Sequence, residues 1–360
     1  MRLLAALLGF LALCAGPALA QPAPENPVLQ HYRAYRAAIA AGDLATADRE
    51  AVAALAQSVA RDGEGGRTGV LALNLAQVKL DRGLAAEAVA PARQAFDIAS
   101  RNAASGVDPA LAKLVLGQAE LPTAGPVRLE AALSETSGRA DLADVVYSSQ
   151  MALGEWRLQN YRYPGAQANF AAAAEAGRTN SVSPTYAVAR ARAREGVAIV
   201  MAASRRLEFA DAALNTRRGA DMGAHAAFTD AVQALEPLAL QQTASDLTLA
   251  ERTYAEALAW REALRARMRL EGDQLPALPA SANTACAARI RPVAFAPRDR
   301  SEPGAVVYRV RLNAAGAVVD QRVAAAVPAD LNGSAVADWR VERAAGGATT
   351  CFVSLGVAGS

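Results

Sequence analysis

Cysteine, histidine and clustered arginine are the residue types in this chain with the chemistry for a site. Cysteine stands at 14, 286 and 351, and histidine only at 31 and 225. A tetrahedral metal site needs more ligands at closer spacing, so none is expected. His31 and His225 lie far apart on alanine-rich segments and read as surface or partly buried side chains, not as bases. Gly63-Glu64-Gly65-Gly66-Arg67-Thr68-Gly69 has the glycines of a phosphate loop. It follows a helical pattern and holds no lysine, so an inter-helix turn is expected there. The chain has no G-x-S-x-G, H-E-x-x-H or G-x-x-x-x-G-K-[ST] string. Its carboxylates are spread along helix faces. The residues therefore predict no enzyme, no catalytic residue, no cofactor and no small-molecule substrate.

Arginine supplies nearly all of the 37 basic residues, since only Lys79 and Lys113 are lysines, and 35 acids balance them. A near-neutral chain lacks the electrostatic footprint of a nucleic-acid binder. The one basic concentration is Arg190, Arg194, Arg205, Arg206, Arg217 and Arg218, interrupted by Glu195, Glu208 and Asp211. Such a run is most often a solvated helix face, and a site for an acidic partner is the alternative.

The first twenty residues, MRLLAALLGFLALCAGPALA, have the form of a secretory signal. Arg2 is the positive region, Leu3 to Leu13 the apolar region, and Ala18-Leu19-Ala20 an A-x-A cleavage signal, so cleavage is expected between Ala20 and Gln21. The alternative is an inner-membrane anchor over residues 1–20, which the Gly16-Pro17 break and the shortness of the apolar run disfavour. Export to the periplasm would remove Cys14 and leave Cys286 and Cys351 as an even pair in an oxidising compartment. A disulfide between them would close a loop of about 66 residues, worth on the order of 4 kcal/mol in the chain-entropy view. The alternative is two separately buried thiols.

These residues need elements to hold them. Apolar residues make up 52% of the chain and aromatics only 5%, with alanine abundant, which favours helices packed through small side chains. Leu142, Val146, Ser149, Leu153 and Trp156 step by four and three along one helical face. Helices are expected to break at Gly42-Asp43, Asp62 to Gly66, Arg82-Gly83, Gly125-Pro126, Tyr163-Pro164-Gly165 and Ser183-Pro184, which implies antiparallel hairpins. Later pairing is expected as Tyr186 to Leu207 against Phe209 to Thr216.

Three segments share a register. They are Gly42, Ala47, Ala51, Ala54; then Leu75-Ala76, Gly83, Ala88, Ala92, Ala95; then Leu153-Gly154, Tyr161, Ala166, Phe170, Ala173. Ala131 is a further register position, 35 residues before Ala166. This pattern over residues 25–272 resembles the tetratricopeptide repeat, with Tyr161 standing where the other copies have the turn glycine. The resemblance implies a solenoid of about five or six hairpins whose concave surface holds a peptide or partner protein.

Residues 273–284, DQLPALPASANT, are expected to be a linker. Beyond it the periodicity becomes two. Val306, Tyr308, Val310 and Leu312 alternate with Val307, Arg309 and Arg311 as in a half-buried strand. Asn313 to Gly316 is a turn, Val318 to Val323 a second strand, and Cys351, Val353, Leu355 and Val357 share a face of a last one. VVYRVRLNAAGAVVDQRV, AVADWRVE and TTCFVSLGV together resemble the C-terminal domain of the TonB family. Gly316, Val318, a short helix carrying Ala335, and Trp339 fall in that family's order. The resemblance implies a small α/β domain over residues 285–360 that binds by adding a partner's strand to its sheet edge.

The expected fold is thus mainly α: an α-solenoid of tetratricopeptide-like hairpins plus a small C-terminal TonB-like α/β domain. The expected role is non-catalytic protein–protein interaction with a protein or peptide partner in the cell envelope. A TonB-type energy transducer working on an outer-membrane receptor in transport is the first alternative. An envelope hydrolase with an unrecognised site is the second.

Overall fold

The structure, a computed structural model, describes residues 26–102, 105–121, 123–181, 183–207, 213–241, 246–296, 303–333, 335–336, 338–342 and 349–357. The expected cleavage pair Ala20 and Gln21 lies outside them. Within them the chain is mainly helical, with a small C-terminal region of antiparallel strands. It forms two compact units, one ending at Val115 and the other beginning at Leu116.

The first unit opens with α1 (Pro27–Ala41), α2 (Leu44–Asp62), α3 (Gly66–Asp81) and α4 (Ala85–Arg101). Local signals set these boundaries. Pro27 opens α1 behind an Asn26 cap whose carboxamide oxygen accepts from Val28 N at 3.1 Å. Gly42 ends the helix in the left-handed conformation, and the Asp43 carboxylate caps α2 by accepting from Thr46 N at 2.9 Å. Residues 63–65 of the glycine-rich string form the turn between α2 and α3, with Gly65 as N-cap, and residues 66–69 are the first turn of α3. Its Thr68 hydroxyl is consumed internally by Gly63 O and Ser58 Oγ. The shared-register alanines Ala47, Ala54, Ala76, Ala88, Ala92 and Ala95 are all fully buried, since only a methyl group fits where these helices cross.

α5 (Pro109–Ala119) leads into α6 (Gly125–Glu135), then α7 (Ala143–Gln159), α8 (Tyr163–Gly177), α9 (Pro184–Leu207), α10 (Ala213–Leu240) and α11 (Leu249–Leu270). All the expected breaks coincide with helix termini. Ala131 is half-buried, while Ala132 beside it is fully buried, so the register there is shifted by one. The segment expected as a short partner over Phe209 to Thr216 belongs instead, from Ala213 on, to a helix of 28 residues. Gly219 and Gly223 lie inside it without ending it.

The turn before α8 carries a physical signature of the repeat register. Gly42 and Gly83 have φ of 72° and 74°, and Tyr161, at the same offset from its alanine, has φ of 58°. An L-residue in that left-handed region costs roughly 1–2 kcal/mol, which glycine avoids. Tyr161→Gly is therefore expected to stabilise the protein by about 0.5–1 kcal/mol once the looser unfolded chain is counted, as thermal unfolding would show. Destabilisation would mean that the exposed Tyr161 ring, edge-on to Tyr163, matters more than the backbone.

Beyond α11, α12 (Ala282–Ala287) precedes the strands β1 (Ile290–Pro292), β2 (Phe295–Ala296), β3 (Gly304–Leu312), β4 (Val318–Val327), β5 (Ala335–Val336), β6 (Trp339–Val341) and β7 (Thr349–Val357). β3 is central, with β4 and β7 antiparallel on either side. The β3–β4 turn closes as expected: Gly316 is left-handed, and the Asn313 carboxamide accepts from Ala315 N and Ala317 N. Two expectations change. The second strand runs on to Val327, and Ala335 lies in β5, paired with Ala296, not on a helix. A short 3₁₀ turn, Ala329–Gly333, takes the expected helix's place.

β3 is buried on both faces, where its alternation predicted one. Val306, Tyr308, Val310 and Leu312 pack with Ile290, Leu331, Trp339, Cys351 and Val353. Ala305 and Val307 join Phe352 in a second core built by α9, α10 and α11. α11 covers that face of the sheet, so one apolar core is continuous from α9 to β7. Residues 273–284 run along it: Leu275 is buried in this core, and Pro276 O accepts from Arg261 Nη2 at 2.7 Å.

Candidate functional site

In the second unit α9, the first helix of the α9–α10 hairpin, touches both α7 and α11. Arg194, midway along α9, links them. Its guanidinium grips the Glu155 carboxylate of α7 with two bonds of 2.6 Å and reaches Glu256 of α11 at 3.0 Å. The planar fork suits such bidentate pairing. Burial works against the charge, but the bonds and charges of Glu155 and Glu256 outweigh it, and Arg194 titrates above its ordinary value. Two turns toward the start of α9, the Tyr186 hydroxyl lies 3.3 Å from Thr253 Oγ1 of α11. The three helices thus present a polar, partly exposed face, with the Glu256 side chain 43% accessible. Its groups are charge and hydrogen-bonding partners.

Three arginines of the run, Arg194, Arg217 and Arg218, are each paired with acids. Arg217 pairs with Asp221 and Glu271, Arg218 with Asp273, and Arg194 with two glutamates. The run is divided between α9 and α10, and α11 with the residues after it supplies most of the acids. The side chains of Arg205 and Arg206, with Glu208 and Asp211, lie outside the described residues.

A second candidate surface lies in the first unit. An apolar cleft of about 370 Å³ opens between α1 and α3, lined by Val28, Leu29, Tyr32, Arg67, Val70 and Leu71.

The histidines fall in different environments. His31 Nδ1 lies 2.8 Å from Glu50 Oε2 on the neighbouring helix. His225 is buried on α10, against Arg261 and Arg265 of α11. Its carbonyl accepts from Thr229 Oγ1, whose oxygen in turn accepts from Arg261 Nε at 2.9 Å. Desolvation first, then the two arginine charges, push the imidazole down to about 4. Desolvation and Arg265 likewise lower the buried Arg261 to about 10.

A lowered histidine pKa means that the unfolded chain binds the proton first. His225 therefore contributes stability that is present above about pH 6.5 and lost as the pH falls toward 4, on the order of 3 kcal/mol in full. A His225→Gln variant should lose that acid sensitivity. Identical pH–stability curves for variant and wild type between pH 4 and 7, by urea denaturation, would refute the assignment.

Cys286 of α12 and Cys351 of β7 are brought together, with their Cα atoms 5.8 Å apart and their sulfurs at bonding distance. Cys351 is fully buried on the face that the strand alternation predicted. Among the described residues no group of three or more His, Cys, Asp or Glu side chains is placed to hold a metal ion. No described helix is long and apolar enough to cross a membrane.

Sequence reasoning missed the Arg194 bridge, although its period-4 position on α9 was visible. The partners Glu155 and Glu256 lie 39 and 62 positions away, and no local signal joins them. No protein-family model matches the chain, and no curated protein is similar to it.

Proposed function

We propose that this is a non-catalytic exported protein that binds a protein partner in the cell envelope through a tetratricopeptide-like helical array. A TonB-like C-terminal domain makes a second contact. The observation that carries the reading is the recurrence of one hairpin design. Gly154, Ala166, Phe170 and Ala173 in α7 and α8 have counterparts in Gly196, Ala224, Phe228 and Ala231 in α9 and α10. In each hairpin a phenylalanine ring fills the space a glycine leaves on the facing helix. Stacked units of this kind produce a continuous face from their first helices, and here that face carries Glu155, Arg194 and Glu256. The order of β3, the Gly316 turn, β4, Trp339 and β7 supports the TonB likeness.

The proposal includes cleavage between Ala20 and Gln21. Intact mass of the protein recovered from the periplasm tests it: retention of residues 1–20 would favour the anchored, transducer-type alternative. The binding role is tested by crosslinking the full-length protein in the envelope fraction and comparing it with Glu256→Arg. A partner recovered by the wild type and lost in a variant of unchanged melting temperature supports the helical face as the working surface. Recovery of the same partner by both would place binding elsewhere.

A further inference from the structure

β7 is an edge strand of the three-stranded sheet, and among the described residues its outer side meets no other strand. Such an edge exposes a row of backbone donors and acceptors and invites pairing with another chain. In this protein the middle of that row is already taken. The Asn283 carboxamide accepts from Phe352 N at 2.7 Å and donates to Phe352 O at 3.0 Å. One side chain thus supplies the donor and the acceptor that one residue of an added strand would bring. Asn283 is 3% exposed, and its own backbone N–H is held by Glu236 Oε1 of α10 at 3.1 Å. Ser281 and Thr284 fasten the start of α12 with a reciprocal capping box. Three residues beyond Asn283, Cys286 reaches Cys351, the β7 residue next to Phe352.

We infer that α12 is a strap that closes the β7 edge to incoming strands, and that the Cys286–Cys351 disulfide decides whether the strap stays shut. The partner this surface fits is an extended polypeptide segment. This inference rests on reading the C-terminal domain as a strand-binding module. Opening is a thiol–disulfide exchange with a dithiol. Its thiolate attacks Cys286 Sγ, the half-buried sulfur, and the fully buried Cys351 leaves as thiolate. The second thiol of the reagent then displaces Cys286 and closes its own disulfide. Two electrons pass to the protein, which ends with two cysteines in reduced form. α12 is then held only by Asn283, Glu236 and its packing, and an incoming strand competes for Phe352 with a full ladder of hydrogen bonds.

The test uses the full-length protein, oxidised or treated with dithiothreitol. Two readouts are taken: hydrogen exchange resolved to single amides, and binding of a labelled peptide with the β3 sequence GAVVYRVRL. That peptide is chosen because β3 already pairs antiparallel with β7 on its other side. The oxidised protein should protect the Phe352 amide and bind no peptide. Reduction should speed exchange at Phe352 by about tenfold or more, leave β3 amides unchanged, and permit peptide binding. Asn283→Ala should speed Phe352 exchange even when oxidised and strengthen peptide binding when reduced.

The inference is overturned if reduction changes nothing at Phe352, or if the oxidised protein binds the peptide equally well. It is also overturned if β3 and β7 lose protection together, which would make the disulfide a stabiliser of the whole sheet, or if Phe352 opens without peptide binding. The envelope crosslinking with Glu256→Arg is read on oxidised protein at a different face, so either result can fail without the other.

Discussion

Replacing Arg309 by Met is expected to destabilise the second unit by about 3–5 kcal/mol, because it strands a buried carboxylate. Arg309 sits on β3, and its side chain is 1% exposed, facing the helix that covers the sheet. Its Nη1 donates to Glu251 Oε1 of α11 at 3.2 Å, and its Nη2 donates to Asp320 of β4 at 3.2 Å. The Glu251 side chain is fully buried and does two jobs, since its other oxygen accepts from Thr248 N at 2.7 Å and completes the cap of α11. Without the guanidinium, Glu251 must stay charged in an apolar site or take up a proton. Glu251→Gln keeps an acceptor for the cap and removes the charge. The double variant E251Q/R309M should therefore recover most of what R309M alone loses, since replacing both members of a buried pair is often close to neutral. Urea denaturation of the two single variants and the double measures the coupling. A neutral R309M, or a double variant as unstable as the sum of the singles, would show that the pair does not bind sheet to helix.

Truncating the two repeat phenylalanines should cost as much. Phe170→Ala and Phe228→Ala each remove a fully buried ring, for which about 3–5 kcal/mol is expected. The glycines beneath them sharpen the test. A Cβ on Gly154 would stand 2.5 Å from Phe170 Cε1, and one on Gly196 would stand 2.9 Å from Phe228 Cε1. Intrinsic propensity favours Ala over Gly inside a helix by about 1 kcal/mol. Gly154→Ala should nevertheless destabilise, because the ring has no room to retreat. Combining it with Phe170→Leu should cost less than the sum of the two, since the smaller side chain frees the space the methyl needs. Additive losses would mean that the glycine and the ring do not share one space. Gly196→Ala, with its wider gap, should be the milder of the two glycine changes.

The local grammar of the chain determined much of its helical part. Glycine, proline and a capping Asp or Asn act within a few residues, so the termini near Gly42, Gly66, Gly83, Tyr163 and Pro184 were readable without a partner in view. The alternation over 351–357 likewise put Cys351 on one face with Val353, Leu355 and Val357, because a strand's period of two depends on its own backbone alone, while the fold decided that this face is the inner one. Tyr161 was readable as a turn position from register, although its residue type argued against it. Tertiary structure decided the rest. Alternation made Arg309 a solvent-facing residue; it is buried because Glu251, 58 positions away, arrives on a helix that closes the sheet's second face. Gly196 and Phe228 escaped the period search because the α9–α10 hairpin carries sixteen extra residues between them, although Phe228 lies against Gly196 as Phe170 lies against Gly154. Asn283 looked like a residue of a polar linker, and only the fold places its carboxamide on the backbone of Phe352. Caps, turns and periodicity are short-range and are written in neighbouring residues. Burying a charge or filling an edge depends on which distant group supplies the counter-charge or the hydrogen bond, and that pairing exists only once the chain has folded.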